Sequence, residues 1–229
     1  EYIVKTIVTT ELIRTIAEKN GVEVYDVYTG FKWIADVMKK NEGKKNYIGG
    51  GEESYGFLCE DFVRDKDAVS ACAILAEIAA WAKDQGITMY QLLQNIYVQY
   101  GFSKEKGISV VKKGKSGAEE IEAMMKHFRE NPLQEIAGSK VTLFYDYSSL
   151  KGKDYIENET LSLDMPTTSN VLQYFTEDGT KVSIRPSGTE PKIKFYCEVH
   201  SKVKSIDELP AAEKAAAEKI EAIKASLGI

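Results

Sequence analysis

Two histidines and three cysteines are all that 229 residues offer of the usual soft metal ligands and nucleophiles. His127 and His200 lie far apart with no cysteine or acidic cluster at ligand spacing, so core or surface roles are expected, and no Ser-His-Asp arrangement can be nominated. Cys59, Cys72 and Cys197 are odd in number and form no CxxC pair, which argues against a disulfide framework or a zinc site. Each reads as a small buried hydrophobe, and a reducing, cytoplasmic setting fits. Five prolines and 17 glycines exclude collagen-like and low-complexity chains. Ala68 to Ala82, the longest mostly apolar stretch, contains Glu77 and falls short of the roughly 20 residues a bilayer crossing needs, so it reads as a core helix and no membrane is expected as a partner. Neither sign of charge dominates: 30 Lys+Arg against 35 Asp+Glu give −5, a balance that argues against nucleic acid as the main partner. The opening EYIVKTIVTT has no basic segment, no cleavage site and no initiating Met, so no signal peptide is expected and the chain reads as a piece of a longer protein.

What is present is an alternation of strand-like and helix-like segments. Tyr2 to Val8 is strand-like, and Thr9 or Thr10 can cap a helix through Leu12, Ile13 and Ile16 to Gly21. Val22 to Tyr28 reads as a strand, Phe31 to Lys40 as a helix, and Tyr47-Ile48 as a short strand entering Gly49-Gly50-Gly51. Asp65 or Asp67 caps the apolar helix that stops at Gly86, and Thr88-x-x-Gln91 is a capping box opening another. A second box, Ser116-x-x-Glu119, opens a helix striped with Ile121, Met124, Met125 and Phe128, expected to bridge two domains, with the methionines as core filling. From Lys140 the pattern turns to short strands joined partly by the Asp178-Gly179 turn, and a last helix begins near Asp207 with Pro210 in its first turn. On 192–199, Ile193, Phe195, Cys197 and Val199 share an apolar face, while Lys192, Lys194, Tyr196 and Glu198 share one expected to be wet. The expected class is α/β: an α/β/α layered mixed-sheet domain over 1–115, a connecting helix over 116–134, and a smaller α+β domain over 135–229 with an antiparallel sheet and a helix on one face.

Two segments carry chemistry. Arg185-Pro186-Ser187-Gly188-Thr189-Glu190-Pro191 lies between two strands, restricted by its prolines, and can turn hydroxyls and backbone amides into one concavity. Arg185 is the only arginine after Asn131, and its planar guanidinium suits bidentate phosphate recognition; Lys192 and Lys194 can add positive potential. An ordinary hairpin turn with locally satisfied hydroxyls is the competing reading. Gly49 to Phe57 joins glycines, which let a backbone approach a ligand, to acidic and hydroxyl side chains suited to accepting from sugar hydroxyls; a flexible turn is its alternative. It fails as a dinucleotide fingerprint, since the third glycine position is Ser54, and Gly114-Lys115-Ser116 fails as a P-loop because the upstream glycine position is Ser109.

In order along the chain, TGFKW (29–33), GGEESYGF (50–57), KDAVSA (66–71), RPSGTEP (185–191) and KIKFY (192–196) resemble the α-D-phosphohexomutase superfamily, closest to its phosphoglucomutase/phosphomannomutase branch. The resemblance spans essentially the whole chain and implies the third domain, truncated at its start, followed by the complete fourth. It implies that Glu52 and Ser54 read sugar hydroxyls, with Gly30 and Lys32 facing the same cleft, and that Arg185, Ser187, Gly188 and Thr189 hold the non-transferring phosphate. Some relatives carry a histidine at the position of Gly56, so its proton-transfer role does not carry over. The Thr-x-Ser-His motif of the phosphorylated serine and the DGDxDR motif that binds magnesium are absent, so no catalytic residue is assigned within this chain. The implied partners are a phosphosugar and the N-terminal domains of a parent that interconverts hexose 1- and 6-phosphates, with magnesium ligands outside this chain and the piece alone inactive. Phosphopentomutase, phosphoglucosamine mutase and a non-catalytic phosphosugar-binding module are the alternatives.

Overall fold

Short β-branched segments and apolar-periodic ones alternate from the first residues, and strand and helix alternate with them. The structure, a computed structural model, describes residues 1–112, 114–188 and 190–229. It divides into two units, Glu1–Phe102 with Lys202–Leu209, and Ser103–Ser201 with Pro210–Ile229.

The first unit runs β1 (Tyr2–Thr6), α1 (Glu11–Lys19), β2 (Glu23–Val27), α2 (Phe31–Asn41), β3 (Tyr47–Glu52), β4 (Gly56–Cys59), α3 (Ala68–Asp84) and α4 (Met89–Tyr100). Its sheet is ordered β2-β1-β3-β4, with β1 parallel to β2 and β3, and β4 antiparallel to β3. Side chains in register explain why both faces are covered. Tyr2, Val4, Val27, Tyr47 and Leu58 pack with Phe31, Ile34 and Met38 of α2 into one core. On the opposite face Lys5, 1 % exposed, pairs with Asp26 at 2.9 Å and with Glu11 of α1 at 2.9 Å. Burial of that lysine is tolerable because two carboxylates meet it. Local caps hold as expected: Thr10 accepts from Leu12 N–H, Asp67 from Val69 and Ser70 N–H, and Thr88 and Gln91 close a reciprocal box.

Residues 68–82 do not form a core helix in this chain. Within α3 only Ala82 is buried, while Val69, Leu75 and Trp81 are exposed. The helix is apolar nearly all round, and β4 and α4 cover only part of that circumference. Cys72 shares the exposure and Cys59 is half-buried, so neither is the buried hydrophobe expected; Cys197 is, and burial pushes its thiol up to about 12.

The second unit comprises nearly all of β5 (Phe102–Val111), then α5 (Gly114–Glu130), β6 (Glu135–Ile136), β7 (Ser139–Asp146), β8 (Lys151–Asp154), β9 (Glu159–Ser162), β10 (Leu172–Thr176), β11 (Lys181–Pro186), β12 (Lys192–Ser201) and all but the first residue of α6 (Leu209–Leu227), while the 3-10 turn at Ile206–Glu208 falls in the first unit. The sheet order is β5-β12-β11-β10-β7-β8-β9, with β6 on β7 and antiparallel pairing from β12 to β9. α5 starts at Gly114, ahead of the Ser116 box, and its Phe128 ring meets Phe195 at 6.4 Å while the Tyr174 hydroxyl donates to the Phe128 carbonyl at 2.9 Å. The face of β12 expected to be wet is partly dry: Glu198, 5 % exposed, pairs at 3.1 Å with Lys181, its cross-strand partner in register, 2 % exposed. Each charge there is compensated by the other. No helix of the described residues is long and apolar enough to cross a membrane.

Candidate functional site

The first crossover runs from β1 to β2 on one side and the second runs from β2 past β1 to β3 on the other, so the strand order reverses between β1 and β3. Ligands of open α/β sheets bind beyond the carboxyl ends of strands at such a reversal. The GEES segment lies there. β3 ends at Glu52 and β4 begins at Gly56, so the glycines expected in a loop are strand residues, and the turn proper is Glu53-Ser54-Tyr55. Nor do Gly50 and Gly51 leave room for a ligand: a Cβ on Gly50 would collide with the Val4 carbonyl, and one on Gly51 with the Gly56 carbonyl. These glycines serve close strand packing.

Two of the expected sugar-site segments meet. Gly30, whose φ of 115° suits glycine, precedes α2 and donates its N–H to Glu52 Oε2 at 2.7 Å. That bond joins the TGFKW loop to the GEES turn across 22 positions of chain. Lys32, in the first turn of α2, is exposed, with its ammonium 4.9 Å from the centre of the Trp33 ring. Below it the Tyr28 ring lies edge-on to Trp33, and burial pushes its phenol up to about 12. A carboxylate with one oxygen oriented by a backbone N–H still has lone pairs for donors, so Glu52 is suited to accepting from hydroxyl groups. Ser54 is exposed and donates to Glu53 Oε1 at 3.4 Å, while Glu53 Oε2 accepts from the Thr6 hydroxyl, also at 3.4 Å. Thr6 and Glu53 were not nominated from the sequence; the threonine at the end of a strand, facing an acidic pair, is the signal that was available. A Cβ on Gly56 would lie 2.9 Å from Glu52 Cβ. Glu52 occupies the space a side chain there would need.

The second segment is built differently. Arg185, on β11, faces Lys194 of β12 directly in the antiparallel register, which places both cations on one face. Among the described residues Arg185 makes no ion pair, and it is half-buried. The hairpin closes on itself: Ser187 N–H donates to the Lys192 carbonyl at 2.8 Å, Glu190 N–H to Ser187 Oγ at 3.3 Å, and Lys192 N–H to the Glu190 carbonyl at 2.7 Å. Ser187 thus takes part in the local turn bonding that the competing reading anticipated. Lys192 pairs with Glu190 and holds its carboxyl below the usual range through that hydrogen bond, so the positive charge left at this end belongs to Arg185 and Lys194. Gly188 is exposed, with open space around it. Thr189 lies outside the described residues. Lys112 N–H donates to the Pro191 carbonyl at 2.9 Å, tying the base of the hairpin to the end of β5.

The family model for phosphoglucomutase/phosphomannomutase alpha/beta/alpha domain III matches residues 1–100, and that for the phosphoglucomutase/phosphomannomutase C-terminal domain matches 109–216. The chain belongs to this family. A phosphoglucomutase of Staphylococcus aureus (strain MRSA252) is 40 % identical over 193 residues, 84 % of this chain and 35 % of that protein. One from Staphylococcus saprophyticus is 36 % identical over 211 residues, covering 91 % and 38 %. The chain therefore spans well under half the length of these relatives. Among solved structures, the open form of the Paramecium phosphoglucomutase pp63/parafusin matches 96 % of this chain and 37 % of its own, at 19 % identity and a TM-score of 0.59. A phosphoglucomutase/phosphomannomutase family protein from Burkholderia thailandensis matches 98 % and 37 % at 15 % identity, with a TM-score of 0.50. These likenesses concern the fold. Among the described residues no three His, Cys, Asp or Glu side chains converge as a metal ion requires. The donor set of the described residues does not fit a magnesium ion.

Proposed function

We propose that this chain is the substrate-reading part of a hexose-phosphate mutase that interconverts hexose 1-phosphate and hexose 6-phosphate. Arg185, a guanidinium with no ion pair among the described residues and facing a second cation across the antiparallel register, carries the reading. It is suited to the phosphate that is not being transferred, with the hydroxyl of Ser187 and the backbone at Gly188 as further donors. Glu52, fixed by the Gly30 N–H, accepts from sugar hydroxyls, with Ser54 beside it and Lys32 at the mouth. Thr189 completes the phosphate loop on the motif alone.

In this reading the phosphoryl group passes from a phosphoserine in another domain of the parent to the free hydroxyl of the substrate. The resulting bisphosphate turns over, and its other phosphate returns to serine. The residues here serve both orientations. Phosphoryl transfer depends mainly on position and charge, so gripping the far phosphate and the ring hydroxyls holds the reacting oxygen in line. Magnesium, in the same reading, is held by other parts of the parent.

The test is steady-state turnover of glucose 1-phosphate by the full-length parent. A charge-assisted contact contributes about 1.5–3 kcal/mol, so Arg185→Ala lowers kcat/KM by about 10- to 150-fold. Wild-type activity in that variant would refute the assignment. The purified 229-residue chain, assayed alongside, gives no turnover.

A further inference from the structure

Tyr55 stands at the tip of the turn between β3 and β4 with φ at 53°, in the left-handed region. Among the described non-glycine residues in that region it is the one aromatic; the others are Glu60, Ala137, Leu150 and Asn158. A bulky side chain there is a conformational outlier that glycine or asparagine would avoid. Its ring offsets none of that cost by burial, because the side chain is fully exposed. The unit gains nothing visible from a tyrosine at this place.

The base beneath it is firm. Glu52 is held by Gly30, and Glu53 by Thr6, so the two residues leading into Ser54 and Tyr55 are anchored to α2 and β1. Tyrosine presents a large flat surface with few torsions to freeze, which makes it an economical contact for a small ligand. A hexose ring has two kinds of surface. Its rim bears hydroxyls, which Glu52 and Ser54 can address, and its faces bear C–H groups, which they cannot. The π face of an aromatic ring is negative and attracts the slightly positive hydrogens of a C–H face.

We propose that Tyr55 is an aromatic platform for one C–H face of the sugar ring, a substrate-contacting residue next to the hydroxyl-reading pair. This rests on the reading of the turn as sugar-binding. It explains why a strained, exposed aromatic stands between Ser54 and Gly56.

The experiment compares Tyr55→Gly, Tyr55→Phe and Glu52→Gln in the full-length parent, by thermal melting and by kinetics with glucose 1-phosphate. An aromatic contact of this kind corresponds to about a 2- to 12-fold change, so Tyr55→Gly lowers kcat/KM by that factor. Its melting temperature stays the same or rises, because the strained conformation is relieved. Tyr55→Phe retains the ring and stays within about twofold of the parent. If Tyr55→Gly keeps parental kcat/KM while Glu52→Gln loses it, the platform is overturned and the sugar-reading turn survives. If both keep it, the sugar reading itself falls. A drop of several degrees in the melting temperature of Tyr55→Gly would assign the ring a structural role and also overturn the proposal.

Discussion

Two turns hold the candidate site residues, and the described contacts hold them in different ways. The acidic turn after β3 is fixed by distant partners: Gly30, 22 positions away, and Thr6, 47 positions away. The cationic turn after β11 is fixed by its own hairpin, through Ser187, Glu190 and Lys192. The first inherits its shape from the sheet and α2. The second is held mainly by bonds among its own described residues, with the Lys112 N–H on the Pro191 carbonyl at its base. The first turn depends on side-chain and backbone partners far away in sequence, whereas the described bonds within the second are local apart from that tie at its base.

Substitutions that attack the supports separately sharpen the contrast. Gly30→Ala has the largest expected effect, because φ at 115° is foreign to alanine; it destabilises the chain by about 1–3 kcal/mol, read as a lower urea midpoint at constant m. In the full-length parent the same change raises KM, since the donor to Glu52 moves. Thr6→Val keeps the shape and removes a hydroxyl, and costs about 1 kcal/mol in the same titration. Because Thr6 also bonds to Thr9 at 2.8 Å, part of that loss belongs to the β1–α1 loop. Gly188→Ala has the smallest effect, within about 0.5 kcal/mol, because a Cβ there meets open space and no positive φ demands glycine. A collapse of the chain on Gly188→Ala, or indifference to Gly30→Ala, would erase the distinction between the two turns.

Much of this was legible in advance. Caps such as Thr10, Asp67 and the Thr88–Gln91 box act within three residues, so their geometry is written locally. The Asp178-Gly179 turn followed for the same reason, with Gly179 at φ 83°. β8 and β9 were missed because KGKD and ETLS lack apolar alternation, a common trait of strands near a sheet edge. Gly49 to Gly51 read as loop because glycine runs signal turns, whereas here neighbouring carbonyls exclude a side chain at positions 50 and 51. Glu198 read as solvated because its pairing with Lys181 is a property of register rather than of either segment. Within the site, the motifs identified Glu52, Gly30 and Arg185, yet the Gly30–Glu52 bond and the help of Thr6 and Glu53 could be read only in three dimensions. Resemblance supplied residue names; the fold supplied their supports.

The crowding of β3 against its neighbours also restricts how such a protein can diversify. Any side chain at position 50 or 51 would force β1 or β4 outward, so mutation is barred from the approach to the acidic turn and free only at its crest. A library built on this turn should therefore leave the glycine stem untouched and place its variation beyond position 52.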